Sequence, residues 1–436
     1  MKHDYDVAVV GGGPGGAATA ARLAQRGRRV LVVEREGFPR FHIGESQLPW
    51  SNEVFRELGV DLAVAGAGFI EKWGASFTTA SGATEQYADF ATAVETPRPQ
   101  TYQVPRAEFD RVLLAHAAAS GAEVRQGAQA LDASFDAAGC TLRYTCDDRG
   151  AEARVAAIVD ASGRSGFLAR RYAERRYDPL LRNVAVHAQY EGVRRRTGRR
   201  AGDIQMVTRP DRGWFWFIPL SPTVTSVGVV LPKDVYTDTA AATLEESLAH
   251  CLGETPAAAA IASQARRVSP ARFDADYSYE SRRYAGDRWL LVGDAGAFLD
   301  PIFSTGVFLA MQSGLEAAAA LDDGLTAGDL SHRRFARYER TVGRRYRYFR
   351  RFAVGFYDPA FRDLFFRPSG PSGVREAVLS VLAGNWRPSL ATRVRIALFF
   401  TLVAVHRRIA IVPRLDEVGA GDRVAPAVAS DGVGTR

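Results

Sequence analysis

The sequence predicts an α/β fold with a parallel nucleotide-binding sheet, a mixed second sheet and a helical C-terminal region. Three observations carry this. Tyr5 to Val10 is a continuous apolar run, followed by a glycine-rich turn, an alanine-rich helix from Ala17 to Gln25 and a second apolar run from Arg29 to Val33, which together form a βαβ unit. Asn183 to Leu231 alternates in strand fashion. From Ser331 onward the pattern is helical, broken at Pro359, Pro368, Pro371 and Pro388. With 436 residues, 47% apolar and 24% charged, the chain has ordinary globular composition and room for two or three domains with large cores.

The first turn, Gly11-Gly12-Gly13-Pro14-Gly15-Gly16, matches G-x-G-x-x-G between a strand and a helix. Glycines at Gly11, Gly13 and Gly16 allow the tight turn and let backbone N–H groups approach a pyrophosphate at a helix N-terminus. Glu34 ends the second strand about 20 residues later, where an acidic side chain accepts bonds from a ribose. Arg106 to Ser120 reads as a further helix, Ala156 to Asp160 as a strand, and Trp289 to Val292 as a strand before another glycine-rich turn and helix. In the run GWFWFIP, Gly213 to Pro219, an extended strand places Trp214 and Trp216 on one face and Phe215 and Phe217 on the other. Pro219 ends its ladder. Core packing and the wall of a site are both open readings of the tryptophan pair.

Other features narrow the function class. Cys140, Cys146 and Cys251 are odd in number and lack zinc-like spacing, which predicts a reducing, cytoplasmic setting and no metal. No leader precedes the first strand, so export is not expected. The apolar run Ile396 to Val405 is too short to span a bilayer and is bracketed by Arg393, Arg395, Arg407 and Arg408, which suits a core or docking helix. The net charge of +7 rests on arginines concentrated between Arg333 and Arg351, without a recognised reader motif, so nucleic acid is not the expected partner. On a helix, Arg337, Arg340, Arg344, Arg347 and Arg351 form one stripe.

Leu291-Val292-Gly293-Asp294-Ala295-Gly296 places Asp294 at the end of a late strand and resembles the second FAD fingerprint of flavoproteins of the hydroxylase and glutathione-reductase type. Asp160-Ala161-Ser162-Gly163 and Tyr102-Gln103-Val104-Pro105-Arg106 resemble further pieces of that Rossmann-like fold. FAD is therefore the expected cofactor, and no second dinucleotide fingerprint supports direct NAD(P)H binding. Four more segments then resemble flavin-dependent halogenases. They are Pro39-Arg40-Phe41-His42-Ile43-Gly44-Glu45-Ser46, Lys72 in Lys72-Trp73-Gly74, the W-x-W-x-I-P run at Trp214, and Phe298-Leu299-Asp300-Pro301-Ile302-Phe303-Ser304-Thr305-Gly306. The resemblance is specific over about the first 330 residues.

It implies a fold in which residues 1–180 and 270–330 bind FAD, interleaved with a substrate-side β-sheet domain of residues 181–269 plus about 66–104. A helical region of residues 331–418 and a flexible tail of residues 419–436 follow. It implies a two-component enzyme of secondary metabolism in which FADH2, supplied by a separate flavin reductase, reacts with oxygen to a flavin hydroperoxide that oxidises chloride or bromide to hypohalous acid. Lys72 is implied as the residue that delivers the oxidant to an electron-rich aromatic, phenol or pyrrole-like. Its neighbours Phe69, Ile70 and Trp73 offer an apolar setting expected to lower its pKa. The N–H groups of Thr305 and Gly306, in the turn Ser304-Thr305-Gly306, are implied as the halide nest, and Trp214 and Trp216 as a wall between flavin and substrate. Gly11, Gly13, Gly16, Glu34, Arg40, Ser46, Arg106, Asp294 and Gly306 are the expected cofactor-binding residues. Phe303 replaces the glutamate that precedes this turn in tryptophan halogenases. That departure favours phenol- and pyrrole-type relatives, many of which take substrates from an acidic acyl or peptidyl carrier protein. The residue taking the ring proton is left open among Glu45, Glu71 and His42. The alternative on the same scaffold is a flavin monooxygenase or a geranylgeranyl-reductase-like enzyme, neither of which needs Lys72 or the tryptophan pair.

Overall fold

A computed structural model of the chain describes residues 3–147, 149–239, 241–367 and 373–415. The expected tail from Gly419, and the expected breaks at Pro368 and Pro371, lie outside the described residues.

The first sheet has eight strands. Tyr5–Val10 lies at its centre, parallel to Val30–Glu34 on one side and to Arg149–Asp160 on the other. Glu123–Gln126 and Trp289–Leu291 extend the parallel order outward. The central strands are buried on both faces, which is why they read as unbroken runs of Val, Ile and Ala. The strand around Ala156 extends from Arg149 to Asp160, longer than expected, because its polar first half pairs with the antiparallel ribbon Cys140–Cys146. The first helix also starts earlier than its alanine run, at Pro14, because proline is pre-organised for the first helical position. That helix packs along Gly306–Ala327.

The second sheet has nine strands and is mixed. Trp214–Pro219 lies inside it, antiparallel to both Ile204–Thr208 and Val224–Pro232. The predicted two-faced strand is observed. Phe215 and Phe217 enter an apolar cluster with Val186, Val227 and Leu248, whereas Trp214 and Trp216 face the larger core shared with the first sheet. Opposite Trp216 stands Gly228, where a Cβ would collide with the indole ring. The glycine is therefore what lets Trp216 lie flat across the sheet.

Downstream, the helix His332–Phe356 runs unbroken for 25 residues. Pro359 opens the next helix, Pro359–Phe365, and does not merely break one, since its missing N–H costs nothing at that position. The run at Ile396 belongs to the helix Leu390–Arg408, which buries Ile396, Phe399 and Val403 and exposes Leu390, Val394 and Val405. No helix among the described residues is long and apolar enough to cross a membrane.

Candidate functional site

A cavity of about 600 Å³ opens at the carboxyl ends of the parallel strands. Gly11, Gly13, Glu34, Arg40, Arg106 and Asp294 all line it, although they come from segments as much as 283 residues apart in sequence. At one end of it the turn Gly11–Gly16 is held tightly. Gly11 has φ +105°, and the Glu34 carboxylate accepts the Gly12 N–H at 2.6 Å and the Glu36 N–H at 2.9 Å. Arg106 is fixed by Asp110 at 2.7 and 2.9 Å, and Arg40 reaches the same carboxylate at 3.3 Å. Asp294 sits at the cavity floor, where loss of solvent pushes its carboxyl up to about 6. The cavity is the right size for a dinucleotide. A Cβ at Gly16 would overlap the Gly11 carbonyl oxygen, so the turn tolerates no side chain there. Gly16→Ala is expected to lose bound flavin, read as the absorbance near 450 nm of the purified protein, and to lower the melting temperature.

Asp160, by contrast, ties its own loop together. Its Oδ1 accepts from Ser162 and its Oδ2 from the N–H groups of Leu168 and Ala169, at 2.6–3.1 Å.

At the other end of the cavity the walls are Trp214, Trp216, Glu45, Ser46, Ser304 and Gly306. Ser304 adopts φ +55°, a left-handed conformation uncommon for a residue with a Cβ, and Thr305 follows in the right-handed region. The pairing of left- and right-handed residues turns successive N–H groups to one side. Gly306 then begins a helix of 22 residues, whose first amides have no intrahelical acceptor and whose dipole favours an anion. The buried Thr305 hydroxyl has no partner.

Lys72 does not line this cavity. It lies directly behind it, on the short strand Ile70–Lys72, and is 2% exposed. Its Nζ donates to Ser46 Oγ at 2.8 Å and to the Gln47 carbonyl at 2.9 Å, and sits 5.2 Å from the centre of the Phe90 ring. Burial lowers its pKa to about 7, with Asp203 opposing. The direction agrees with the sequence expectation. Trp73 lies between the strands Ile70–Lys72 and Gly74–Thr78; its indole N–H donates to Glu71, and Arg199 packs over its ring. Phe90 and overall burial contribute to its apolar setting.

Glu45 was one of three residues left open for the ring proton, and two further features were not assigned in the sequence. Glu45 is 2% exposed with one carboxylate oxygen unpartnered, and burial pushes it up to about 7 against the Ser226 hydrogen bond and the Arg106 charge. Ser226 Oγ also accepts the indole N–H of Trp216 at 3.2 Å. The indole N–H of Trp214 donates to the Tyr357 hydroxyl, which donates to buried Asp300, both at 2.9 Å; Asn183 donates to the same Asp300 oxygen at 2.7 Å. Only position in three dimensions joins Tyr357 to Trp214, so no local pattern announces it. Glu71 and His42, the other residues considered for the ring proton, are both exposed.

A cavity built from the turn Gly11–Gly16 with Glu34 and the turn Gly293–Gly296 with Asp294, both at the ends of parallel strands, is that of a flavoprotein. Comparison with known proteins agrees. The family model described as an FAD binding domain matches residues 4–347. The 1H-pyrrole-2-carbonyl-[peptidyl-carrier protein] chlorinase of Pseudomonas fluorescens is 34% identical over 360 residues, covering 77% of this chain and 80% of that protein. The corresponding brominase of Pseudoalteromonas luteoviolacea is 33% identical over 333 residues, covering 74% and 79%. Among solved structures, a flavin-dependent brominase superposes with a TM-score of 0.82 at 28% identity, covering 93% of this chain and 99% of that one. The myxobacterial chondrochloren halogenase superposes with a TM-score of 0.77 at 32% identity, covering 93% and 91%. The chain belongs to the FAD-binding-domain family and, within it, to the flavin-dependent halogenases. It is an enzyme that uses FAD and halide.

Proposed function

We propose that this halogenase acts on a phenol- or pyrrole-type ring carried by an acyl or peptidyl carrier protein, with Lys72 delivering the oxidant. The carrying observation is the buried amine of Lys72, held on Ser46 and Gln47 immediately behind the cavity wall. Bound reduced FAD, with oxygen from solvent, supplies the oxidising equivalents that convert halide to hypohalous acid. The chain's own residues do the rest. The amides of Thr305 and Gly306 cradle the halide, and Glu45, pushed up to about 7, presents less than a full negative charge beside it. Trp214 and Trp216 keep an organic ring on the far side and pass a small oxidant. A Lys72 amine with its pKa near 7 is partly neutral at working pH, so it attacks hypohalous acid to give the N-haloamine and water. The ring then takes the halogen from nitrogen, and its displaced proton returns to the amine. Reduced flavin comes from a separate reductase.

The test is mass spectrometry of reactions containing FADH2, oxygen, chloride or bromide, and either a free phenol or a pyrrole-2-carbonyl carrier protein. Halogen isotope patterns on the carrier-bound ring support the reading. Halogenation of the free phenol alone would remove the carrier, and an oxygenated product would remove the halogenase.

The arginine stripe fits the carrier. Arg337, Arg340, Arg344, Arg347 and Arg351 are all exposed on the helix His332–Phe356. Arg345 and Arg350, off the stripe, turn inward to Glu316 and Asp178. Arg347 pairs with Glu280 at 2.6 Å, but Arg337, Arg340 and Arg344 have no ion pair among the described residues. Charge reversal at Arg340, Arg344 and Arg347 is expected to slow halogenation of the carrier-bound ring, more at 20 mM than at 300 mM salt, because screening shortens the field to about 10 Å at 0.1 M. A free phenol should be processed as before.

A further inference from the structure

The end of the helix His332–Phe356 meets the segment that leads into the turn Ser304-Thr305-Gly306. Asp300 opens the short helical turn Pro301–Phe303, and its Oδ1 accepts the Ile302 N–H at 3.1 Å. Ser304 follows at φ +55°, which a residue with a Cβ keeps only where its surroundings over-determine it. Two adjacent residues at the end of the long helix do so. Phe356 packs edge-on against Phe303, with ring centres 5.7 Å apart, and Tyr357 donates to Asp300 Oδ2 at 2.9 Å. The segment is thus held at both ends, one residue before Ser304 and four before it. Phe303, which stands where tryptophan halogenases have glutamate, is one of the two holding points.

The Tyr357 hydroxyl uses its whole hydrogen-bonding capacity. It donates to Asp300 and accepts from the Trp214 indole N–H and from Asn183 Nδ2, each at 2.9 Å. Asn183 also donates to Asp300 Oδ2 at 2.7 Å, which closes a triangle of buried polar groups. The main chain of Asp300 is fixed separately, its N–H donating to Ser278 Oγ at 2.8 Å. Neither Tyr357 nor Asp300 lines the flavin cavity, whereas Pro301, Ser304 and Gly306 do. Tyr357 therefore reaches the cavity only through the residues it holds. Where the turn ends, Thr305 is 1% exposed and its hydroxyl has no partner.

We infer that Tyr357 is a positioning residue for halide, its hydroxyl holding Asp300 and, through it, the shape of the turn that presents the Thr305 and Gly306 amides to the ion. This rests on the reading of that turn as the halide nest and adds to it what keeps the nest formed. A turn already in shape binds its ion more tightly than one the ion must order first. Tyr357 therefore acts on halide affinity, and saturating halide makes up for its loss.

Tyr357→Phe removes one oxygen and leaves the ring. The corner stays capped, because the main-chain N–H of residue 357 donates to the Val354 carbonyl and Asp358 caps the helix that follows. The KM for chloride and for bromide is taken from total oxidant, halogenated product plus hypohalous acid caught by a thioether, so that leakage past Trp214 does not enter it. It should rise about tenfold, equivalent to about 1.4 kcal/mol. The rate at saturating halide should stay within about twofold of wild type, and bound flavin and the KM for FADH2 should not change. Bromide titration of the enzyme loaded with oxidised FAD, read in the flavin absorbance without turnover, should show the same tenfold shift. Phe356→Leu, which frees Phe303 and keeps the hydroxyl, should also raise the halide KM and keeps the test decisive if Tyr357→Phe does not fold. Ser304→Val tests the nest directly, because a β-branched residue resists a left-handed φ. An unchanged halide KM in Tyr357→Phe and Phe356→Leu, beside a raised one in Ser304→Val, overturns the positioning role and leaves the nest standing. An unchanged halide KM in all three overturns the nest as well. A rise that comes with lost flavin, or equally in the KM for FADH2, marks Tyr357 as structural and overturns the inference.

Discussion

Replacing Lys72 by Met should reduce halogenated product by about 10²–10⁴-fold while flavin content and FADH2-dependent oxygen consumption stay at wild-type levels. The separation is expected because Lys72 lies behind the cavity wall and touches none of the dinucleotide-binding turns. Product formation in the wild type should rise as pH increases through about 7, since the neutral amine is the nucleophile. The same variant carries a stability signature that a solvated lysine would not. The ordinary lysine value is 10.5 and burial lowers it to about 7, so between those values the unfolded chain holds a proton that the folded chain lacks. Stability must then rise with pH across that window, by at most about 1.4 kcal/mol per unit, and the contribution is lost as pH falls toward 7. Lys72→Met should abolish this slope and be the more stable protein at pH 7.5. Urea unfolding at pH 7.5 and 9.5 checks it. Retained halogenation of the native substrate in the variant would take Lys72 out of the chemistry.

Lys72 also shows where sequence reasoning reached and where it stopped. Its candidacy was legible because a motif surrounds it, and so were the turns Gly11–Gly16 and Gly293–Gly296, because local sterics demand glycines, and an acidic residue stands at a fixed offset from each strand. The faces of Trp214 and Trp216 followed from the two-residue period of a strand. What surrounds Lys72 was not legible. Ser46 and Gln47 reach it by docking on Thr101–Gln103, which pairs with Ile70–Lys72, and strand pairing across 29 residues leaves no local trace; Phe90 arrives by the hairpin of Gly74–Thr78 with Glu85–Asp89. The Trp214–Tyr357–Asp300 chain is hidden for the same reason, its first two members standing 143 positions apart. The arginine helix lies between these cases. Its exposed stripe was predictable from the helical period, whereas the inward turn of Arg345 and Arg350 depends on Glu316 and Asp178, two carboxylates brought in by other elements.

Replacing both Trp214 and Trp216 by Phe should leave a folded flavoprotein that wastes oxidant. The two indoles lie on one face of a buried strand, with ring centres 5.9 Å apart, and both line the cavity that Ser304 and Gly306 also line. Phenyl rings keep most of the apolar volume, and the partners stay satisfied. Tyr357 retains Asp300 and Asn183, and Ser226 retains Glu45. Two lost hydrogen bonds therefore cost about 1 kcal/mol each, well within what a domain of this size survives. The wall, however, becomes smaller and loses the hydrogen bonds that fix its angle. Hypohalous acid should escape to solvent, so the ratio of halogenated product to FADH2 consumed should fall several-fold, with hypohalous acid trapped by a thioether scavenger in solution. Gly228→Ala tests the same wall from behind, because the added methyl collides with the Trp216 ring and must turn it without altering either tryptophan. If the indoles guard the passage, both variants lose coupling; if they are core packing alone, the Phe pair lowers the melting temperature and leaves the product ratio where it was.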